Sequence, residues 1–150
     1  MKKFSFKLET HLKVKKIIEE IRKQKLAEAI LLKLKEEDRL NNLLQTDSKI
    51  KGELESSLSD SVKVMDLTLF NTYIDDLNSS IQSQKNTVDN AVAAYNHSRV
   101  SFIEIKKERQ VFEKIKEKRF GAYLIEVNSE EQKNSDETAA TRHIFRGGRT

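Results

Sequence analysis

The sequence contains no proline, no cysteine and no tryptophan, and it has only four glycines among its 150 residues. Average usage predicts about seven prolines in a chain of this length, so the residue that most strongly interrupts helices is missing. The lack of cysteine excludes disulfides and thiolate zinc sites, and it agrees with a reducing compartment. With 37% hydrophobic and 35% charged residues, the composition predicts long uninterrupted helices rather than a compact globule with a thick core.

Long apolar segments are also missing. None approaches the roughly 20 residues that a membrane-spanning helix needs. At the N-terminus, Lys7 and Glu9 interrupt the apolar residues too early for a signal peptide. We therefore expect a cytosolic protein that does not insert directly into a membrane.

The sequence lacks motifs for catalysis and for metal binding. Its three histidines, His11, His97 and His143, are too scattered to form a local metal motif. It has no glycine-rich phosphate loop and no nucleophile–base pattern. Two long helices also offer no concave site that excludes water. We therefore expect no enzymatic activity, no metal site and no cofactor.

The charged residues are unevenly distributed along the chain. Residues 1–58 hold 14 basic and 10 acidic residues, residues 99–150 hold 12 and 9, and residues 59–98 hold 2 and 5. If the chain doubles back on itself, the two basic ends meet. A basic end favours an acidic protein, a nucleic acid or an anionic lipid as partner, although a solvated helix surface is the more common meaning of such charge.

The second half of the chain shows the clearest apolar period. In alternating steps of three and four residues from Leu67 to Arg119, eleven of sixteen positions are apolar. A 3.5-residue repeat predicts a coiled-coil seam against another helix, and Asp66 before it is a favourable N-cap residue. The predicted seam contains Leu67, Phe70, Ile74, Ile81, Val88, Tyr95, Phe102, Ile105 and Phe112.

The first half of the chain shows a rougher stripe. From Leu26 to Leu54 the same rhythm covers nine positions, of which six are apolar. Upstream of Leu26 this phase meets charged residues, namely Lys15, Glu19 and Arg22. The apolar residues there occupy a shifted phase, at Val14, Ile17, Ile18 and Ile21. The shift predicts a stutter, which alters the supercoil locally without ending the helix.

Together the two stripes predict an all-α fold: a single domain formed by an antiparallel two-helix coiled-coil hairpin. The Ser- and Asp-rich stretch SSLSDSVKVMD provides the reversal. Helix 1 is predicted over about 5–58, the turn over about 59–66, helix 2 from 67 to about 127 or further, and a flexible tail over about 138–150. With the turn centred near Lys63, residues whose numbers add up to about 125 face each other.

This register predicts that helix 2 overhangs helix 1. In this register helix 1 has no residues left to face helix 2 beyond about Lys118. Residues from Arg119 onward are therefore expected to lack a partner within the chain. An apolar patch at helical spacing follows there, formed by Phe120, Tyr123, Leu124 and Val127. Uncovered apolar surface usually signals a partner. The charged residues over 113–119 have spacings that predict ion pairs within the helix.

Several stretches, in their order and spacing, resemble one known family. They are FSFKLETHLKVKK at the N-terminus, FNTYIDDL early in helix 2, the charged run Glu113, Lys114, Glu117, Lys118 and Arg119 followed by Tyr123, and EEQKNSDETAATR with Lys133, Asp136 and Glu137. Over nearly its whole length the chain resembles the FliJ family, the small coiled-coil component of the flagellar type III export apparatus.

The resemblance implies a hairpin similar to the central stalk subunit of rotary ATPases. It implies that the end carrying both termini binds the hexameric export ATPase. It also implies contacts with the cytoplasmic region of the export-gate membrane protein and escort of export chaperones or substrates. Such a protein is cytoplasmic and lies peripherally at the inner-membrane export apparatus.

The resemblance also suggests two sets of contact residues. The ATPase-facing residues, together with the basic N-terminal arm, are predicted to be Lys114, Lys118, Arg119, Tyr123, Lys133, Asp136 and Glu137. A second surface, for the export gate or a chaperone, is predicted at Tyr73 and Leu77.

Two other functions fit the same residues. One is a homodimeric coiled-coil scaffold of another system, which a stable dimer at low concentration would indicate. The other is a basic hairpin that binds nucleic acid, which a steep salt dependence of binding would indicate. The interleaved Glu19 and Glu20 and the lack of an aromatic stacking platform weigh against nucleic acid, so we expect none as a partner.

Overall fold

The computed structural model describes residues 3–59 and 63–147, with side chains up to residue 144. Within these residues the chain forms two helices, α1 (Glu9–Ser59) and α2 (Val64–Gly147), and no strand. The helices pack against each other, which confirms the predicted all-α helical hairpin. The packing divides into two compact units that each contain part of both helices: unit 1 is Met1–Glu19 with Ile105–Thr150, and unit 2 is Glu20–Glu104.

The start of α1 lies later in the chain than the sequence predicted. The helix begins at Glu9 instead of at about residue 5. Residues 7–8 form a turn, in which the Glu9 N–H donates to the Phe6 carbonyl at 3.0 Å. Residues 3–6 have no regular structure, so a short non-helical segment precedes α1.

The start of α2 lies three residues earlier than predicted. The helix begins at Val64, and the Lys63 carbonyl accepts a hydrogen bond from the Leu67 N–H at 3.3 Å. Asp66 therefore lies within the first turn instead of at the N-cap, and the positive end of the helix dipole stabilises its carboxylate there. Residues 60–62 of the predicted turn lie outside the described residues.

The C-terminal part of α2 is helical where a flexible tail was predicted. The helix runs through Gly147, although residues 128–144 are all exposed and show no apolar period. From 128 to 146 the sequence contains neither glycine nor proline, so nothing in the chain interrupts the backbone hydrogen bonds. Residues 148–150 of the predicted tail lie outside the described residues.

The line of contact between the helices is narrow. All nine predicted seam positions of α2 are buried or half-buried: Ile81 and Ile105 are buried, and Leu67, Phe70, Ile74, Val88, Tyr95, Phe102 and Phe112 are half-buried. Leu77 and Ala91 continue the line in unit 2 and are buried too. Each helix buries a single stripe of residues. A polar residue within that stripe therefore has a large influence on the packing.

One such polar residue is Glu36, which is buried in unit 2. Its carboxylate accepts a hydrogen bond from Gln84 Nε2 at 2.7 Å, and the same nitrogen donates to the Glu36 carbonyl at 3.0 Å. Arg39 Nη1 lies 3.1 Å from the carboxylate. The Gln84 hydrogen bond, assisted by the charge of Arg39, lowers the pKa of Glu36 although burial opposes this.

The lowered pKa of Glu36 predicts a specific loss of stability in acid. Near the ordinary carboxyl value of 4.5 the folded chain binds fewer protons than the unfolded chain, so stability rises with pH in this range. The contribution is complete above that value and disappears as the pH falls through the lower folded-state pKa. We expect the thermal midpoint, followed by circular dichroism from about pH 7 to about pH 3, to fall more steeply for the wild type than for Glu36→Gln.

Equal slopes for the two proteins would contradict this prediction. Glutamine retains an oxygen that can accept the Gln84 hydrogen bond, so the comparison isolates the charge of Glu36. The pKa values of Glu9 and Glu113 are also lowered, but both proteins contain these residues, and their effect cancels.

The stutter predicted in the N-terminal part of α1 is wrong. The 3.5-residue phase continues without a shift through charged residues of the seam, because each has a partner on α2. In unit 1, Lys15 pairs with Glu108 and Glu19 pairs with Arg109. In unit 2, Arg22 Nη1 donates to the Ser101 carbonyl at 2.9 Å. Of the four apolar residues that suggested the shift, Val14, Ile17 and Ile21 are exposed, and Ile18 is half-buried.

Candidate partner-binding surfaces

The charged run near the end of the paired helices forms ion pairs mainly between the helices. In unit 1, Lys116 Nζ lies 2.7 Å from the Glu9 carboxylate, and Lys16 Nζ lies 3.4 Å from that of Glu113. Arg109 bridges Glu19 on α1 and Glu113 on its own helix. The predicted intrahelical pairs among residues 113–119 do not form, and Glu113 pairs instead with Lys16 on α1 and with Arg109.

These pairs shift the pKa values of three of the groups involved, Glu9, Arg109 and Glu113. The hydrogen bond from Lys116 lowers the pKa of Glu9. The hydrogen bond to Glu19 raises the pKa of Arg109. Burial acts to raise the pKa of Glu113, but hydrogen bonds and charge from Arg109 and Lys16 outweigh it and lower the pKa. Glu9, Arg109 and Glu113 are therefore charged at neutral pH and are engaged within the chain.

Lys114 and Lys118 behave differently from their neighbours. They lie one helical turn apart, so they share a face of α2, and both are exposed. Neither forms an ion pair within residues 3–59 and 63–144. Of the predicted ATPase-facing residues, these two thus provide an unpaired, solvent-facing pair of cations.

The N-terminal segment covers part of the patch that was expected to be uncovered. The Phe4 ring packs edge-on against Phe120, with centroids 5.1 Å apart, and lies 5.5 Å from the Tyr123 ring. Phe6 is buried, and the Arg119 guanidinium lies 5.8 Å from its ring centroid. The expectation that residues from Arg119 onward lack a partner within the chain is therefore wrong.

The error does not lie in the predicted register. The numbers of Phe4 and Phe120 add up to 124, close to the predicted sum of about 125. The prediction let the packing end with helix 1 and left out the non-helical residues 3–6, which continue along α2 in nearly the same register. The sequence did contain a signal for this contact, since Phe4 and Phe6 alternate with polar neighbours in a segment too short for a helix of its own.

A cleft and several apolar side chains remain open around this contact. The cleft has a volume of about 560 Å³ and is lined by Lys3, Phe4, Ser5, Tyr123, Glu126, Val127 and Glu130. Phe120, Leu124 and Ile125 are exposed despite the N-terminal segment. Unit 1 therefore still presents apolar surface beside the unpaired lysines, a combination typical of interaction sites.

The seven predicted ATPase-facing residues do not form one compact patch. Arg119 and Tyr123 lie on the face that contacts the N-terminal segment, whereas Lys114 and Lys118 lie on another face of the helix. The remaining three, Lys133, Asp136 and Glu137, are exposed further along α2. Twenty-three helical residues separate the first position from the last, a distance of about 35 Å. A partner that contacts all seven must follow the helix over that length.

Of the two residues predicted for the second surface, one is buried and the other is exposed. Leu77 is only 7% exposed and packs in the seam of unit 2, while Tyr73 is 48% exposed. Met65 and Leu69 precede Tyr73 at four-residue intervals, so the three share a face of α2, and both are exposed. Sequence reasoning missed Met65 and Leu69, although their four-residue spacing outside the seam phase was visible. The exposed apolar surface here is therefore the stripe Met65–Leu69–Tyr73.

Neither a membrane-spanning helix nor a metal-binding cluster is present among the described residues of the chain. No helix in its described parts is long and apolar enough to cross a membrane. Among the same residues, no group of three or more His, Asp or Glu side chains is arranged to hold a metal ion.

Comparison with known proteins gives a family and a fold. A model of the flagellar FliJ protein family matches residues 4–148. A solved structure from Chlamydia trachomatis, described as a YscO homologue, is similar with a TM-score of 0.66 at 19% sequence identity, and the alignment covers 99% of this chain and 100% of that chain. No curated protein matches the sequence. At 19% identity the structural likeness shows a shared fold.

Proposed function

Since the chain belongs to the flagellar FliJ protein family, whose model matches residues 4–148, we propose that it is a non-enzymatic component of the flagellar type III protein export apparatus. It binds the hexameric export ATPase as a stalk, contacts the cytoplasmic region of the export gate, and escorts export chaperones or substrates. It acts in the cytoplasm at the inner face of the membrane that holds the apparatus, without inserting into that membrane.

The observation that carries the ATPase-binding proposal is the exposed overhang of α2. Residues 128–144 are exposed throughout and continue a helix whose preceding turns present unpaired lysines and apolar side chains. A helix that buries none of its residues gains little from folding alone, so a partner surface that receives it explains why it is there. Cations that form no ion pair with any described residue supply charge for such a contact.

The stripe Met65–Leu69–Tyr73 is the proposed contact for the export gate or a chaperone. Its apolar side chains stand at helical spacing, which suits packing against a helix or groove of another protein. Asp75 and Asp76 lie two and three residues after Tyr73, so this stripe differs in charge from the lysine-bearing surface. The two proposed surfaces are therefore suited to partners of different chemistry.

Two truncations test the ATPase contact. A chain ending after Val127 keeps the Phe4 contacts with Phe120 and Tyr123 but loses the exposed part of α2, and a chain ending after Lys118 loses both. In pull-downs with the cognate export ATPase we expect retention to fall at least about tenfold for the first and to vanish for the second. Tyr73→Ser in the full chain is the control that should bind the ATPase normally.

Helix content from circular dichroism should decrease only in proportion to the residues removed. The proposed ATPase surface is wrong if the chain ending after Lys118 is retained as well as the intact chain.

A further inference from the structure

The middle of α1, in unit 2, carries apolar side chains that the hairpin does not bury. Leu31 is 68% and Leu34 is 55% exposed, and Ile30 and Leu32 are exposed as well. Ala27 precedes Leu31 by one turn and is exposed too. Ala27, Leu31 and Leu34 are spaced by four and three residues, so they form a second 3.5-residue stripe outside the seam. An exposed stripe of this kind indicates a contact with another protein surface.

The charges beside this stripe are arranged with opposite signs at its two ends. Glu28 follows Ala27 and Lys35 follows Leu34, so both lie on the same side of the stripe. Both side chains are exposed. Within the described part of the chain neither forms an ion pair, although acidic and basic residues are close along the helix. The stripe is therefore flanked by an exposed anion at one end and an exposed cation at the other, and neither forms an ion pair with a described residue.

We propose that this face of α1 binds a second copy of the same chain in antiparallel orientation. A two-fold axis that places Leu31 of one copy against Leu34 of the other brings four leucines together at the centre. In the same arrangement Glu28 of each copy lies beside Lys35 of the other, which gives two symmetric ion pairs. A two-fold contact must be self-complementary, and one anion and one cation per copy on the same side of the stripe meet that condition.

Parallel packing of the same stripe matches the charges less well. It would pair Leu31 with Leu31 and place Lys35 beside Ile30 of the other copy, so the lysine would gain no anion. The antiparallel contact is short, spanning few helical turns, and it buries less than the about 1,200 Å² typical of stable complexes. The dimer is therefore weak and depends on concentration. It uses none of the residues assigned to the export ATPase, so it extends the proposed function instead of resting on it.

Charge exchange at Glu28 and Lys35 tests both the contact and its orientation. The full chain is examined by analytical ultracentrifugation over a range of concentrations. We expect the wild type to form a dimer as concentration rises, and Glu28→Lys and Lys35→Glu to weaken it at least about tenfold each, because like charges then meet. An equimolar mixture of the two variants should dimerise again, as should the double variant Glu28→Lys/Lys35→Glu, because opposite charges meet in both.

Leucine substitutions supply a matched pair of controls. Leu31→Ser should abolish the dimer, whereas Leu58→Ser, which changes another exposed leucine of α1, should leave it intact. Circular dichroism checks that each variant remains helical. The proposal is overturned if the wild type stays monomeric at every concentration, if Leu31→Ser dimerises normally, or if mixing the two charge variants restores nothing.

Discussion

Replacing Ile105 with alanine is expected to cost the hairpin about 2–5 kcal/mol of unfolding free energy, as for other large aliphatic residues truncated in a core. Ile105 is 2% exposed, and it lies in the narrow line of contact between the helices. A two-helix fold has no second layer of side chains that could collapse into the space left behind. The loss should appear as a lower midpoint in thermal or urea unfolding followed by circular dichroism.

Ile125→Ala is the matched control for this experiment. It removes the same atoms from the same helix within unit 1, but Ile125 is 73% exposed. Surface substitutions of this kind change stability by about 0.5 kcal/mol or less. Similar midpoints for the two variants would mean that Ile105 does not lie in the core that the structure shows.

The apolar period made α2 the more predictable helix. Its seam positions are mostly aromatic or aliphatic, so the 3.5-residue repeat could be followed from Leu67 to Phe112 without knowledge of the partner helix. The resemblance to the FliJ family, which the match over residues 4–148 confirms, rested on charged and polar residues in addition. Pattern and family therefore gave independent support to an all-α hairpin.

The N-terminal part of α1 could not be predicted in the same way. A sequence pattern assigns apolar residues to the seam, yet here charged residues occupy it and isoleucines are exposed. The reason lies in partners that are distant in sequence, since Lys15 and Glu19 are paired with Glu108 and Arg109. Only the folded arrangement shows that Lys15 and Glu19 each face a charge of opposite sign and that Arg22 donates to the Ser101 carbonyl.

The candidate surfaces were predictable to different degrees. Exposure of Lys114 and Lys118 follows from their position opposite the seam, which the repeat already defined. The coverage of Phe120 and Tyr123 by Phe4 was missed, because the prediction let the packing end where helix 1 ends. The alternation of Phe4 and Phe6 with polar residues did mark a further apolar segment. The burial of Leu77 follows from the seam phase itself, in which it stands between Ile74 and Ile81, so its assignment to an exposed surface conflicted with the pattern.

Neutralising Lys118 and Arg119 together, as Lys118→Gln/Arg119→Gln, is expected to abolish stimulation of the export ATPase by this protein. Lys118 forms no ion pair within the described residues, so its charge is available to a partner. Arg119 lies on the neighbouring face, with its guanidinium over the Phe6 ring. Removing both cations takes two charges from the point where the paired helices end and the overhang of α2 begins.

The measurement is the ATPase rate of the cognate enzyme with and without the variant. Lys106→Gln/Lys107→Gln is the matched control, because it removes the same two charges from exposed positions of the same helix outside the proposed surface. The control should stimulate the ATPase as the wild type does. A deficit shared by both double variants would mean that net charge, and not this surface, governs the interaction.

Stability must be separated from binding in the Lys118 and Arg119 variant. Loss of the Arg119 contact with Phe6 should cost about 0.5–1 kcal/mol at such a partly exposed site, which lowers the unfolding midpoint slightly but leaves the hairpin folded. Phe6→Leu removes the same cation–ring contact while keeping both charges. If Phe6→Leu still stimulates the ATPase and the double variant does not, the charges themselves contact the ATPase. If the double variant stimulates fully, Lys118 and Arg119 are not part of the ATPase-binding surface.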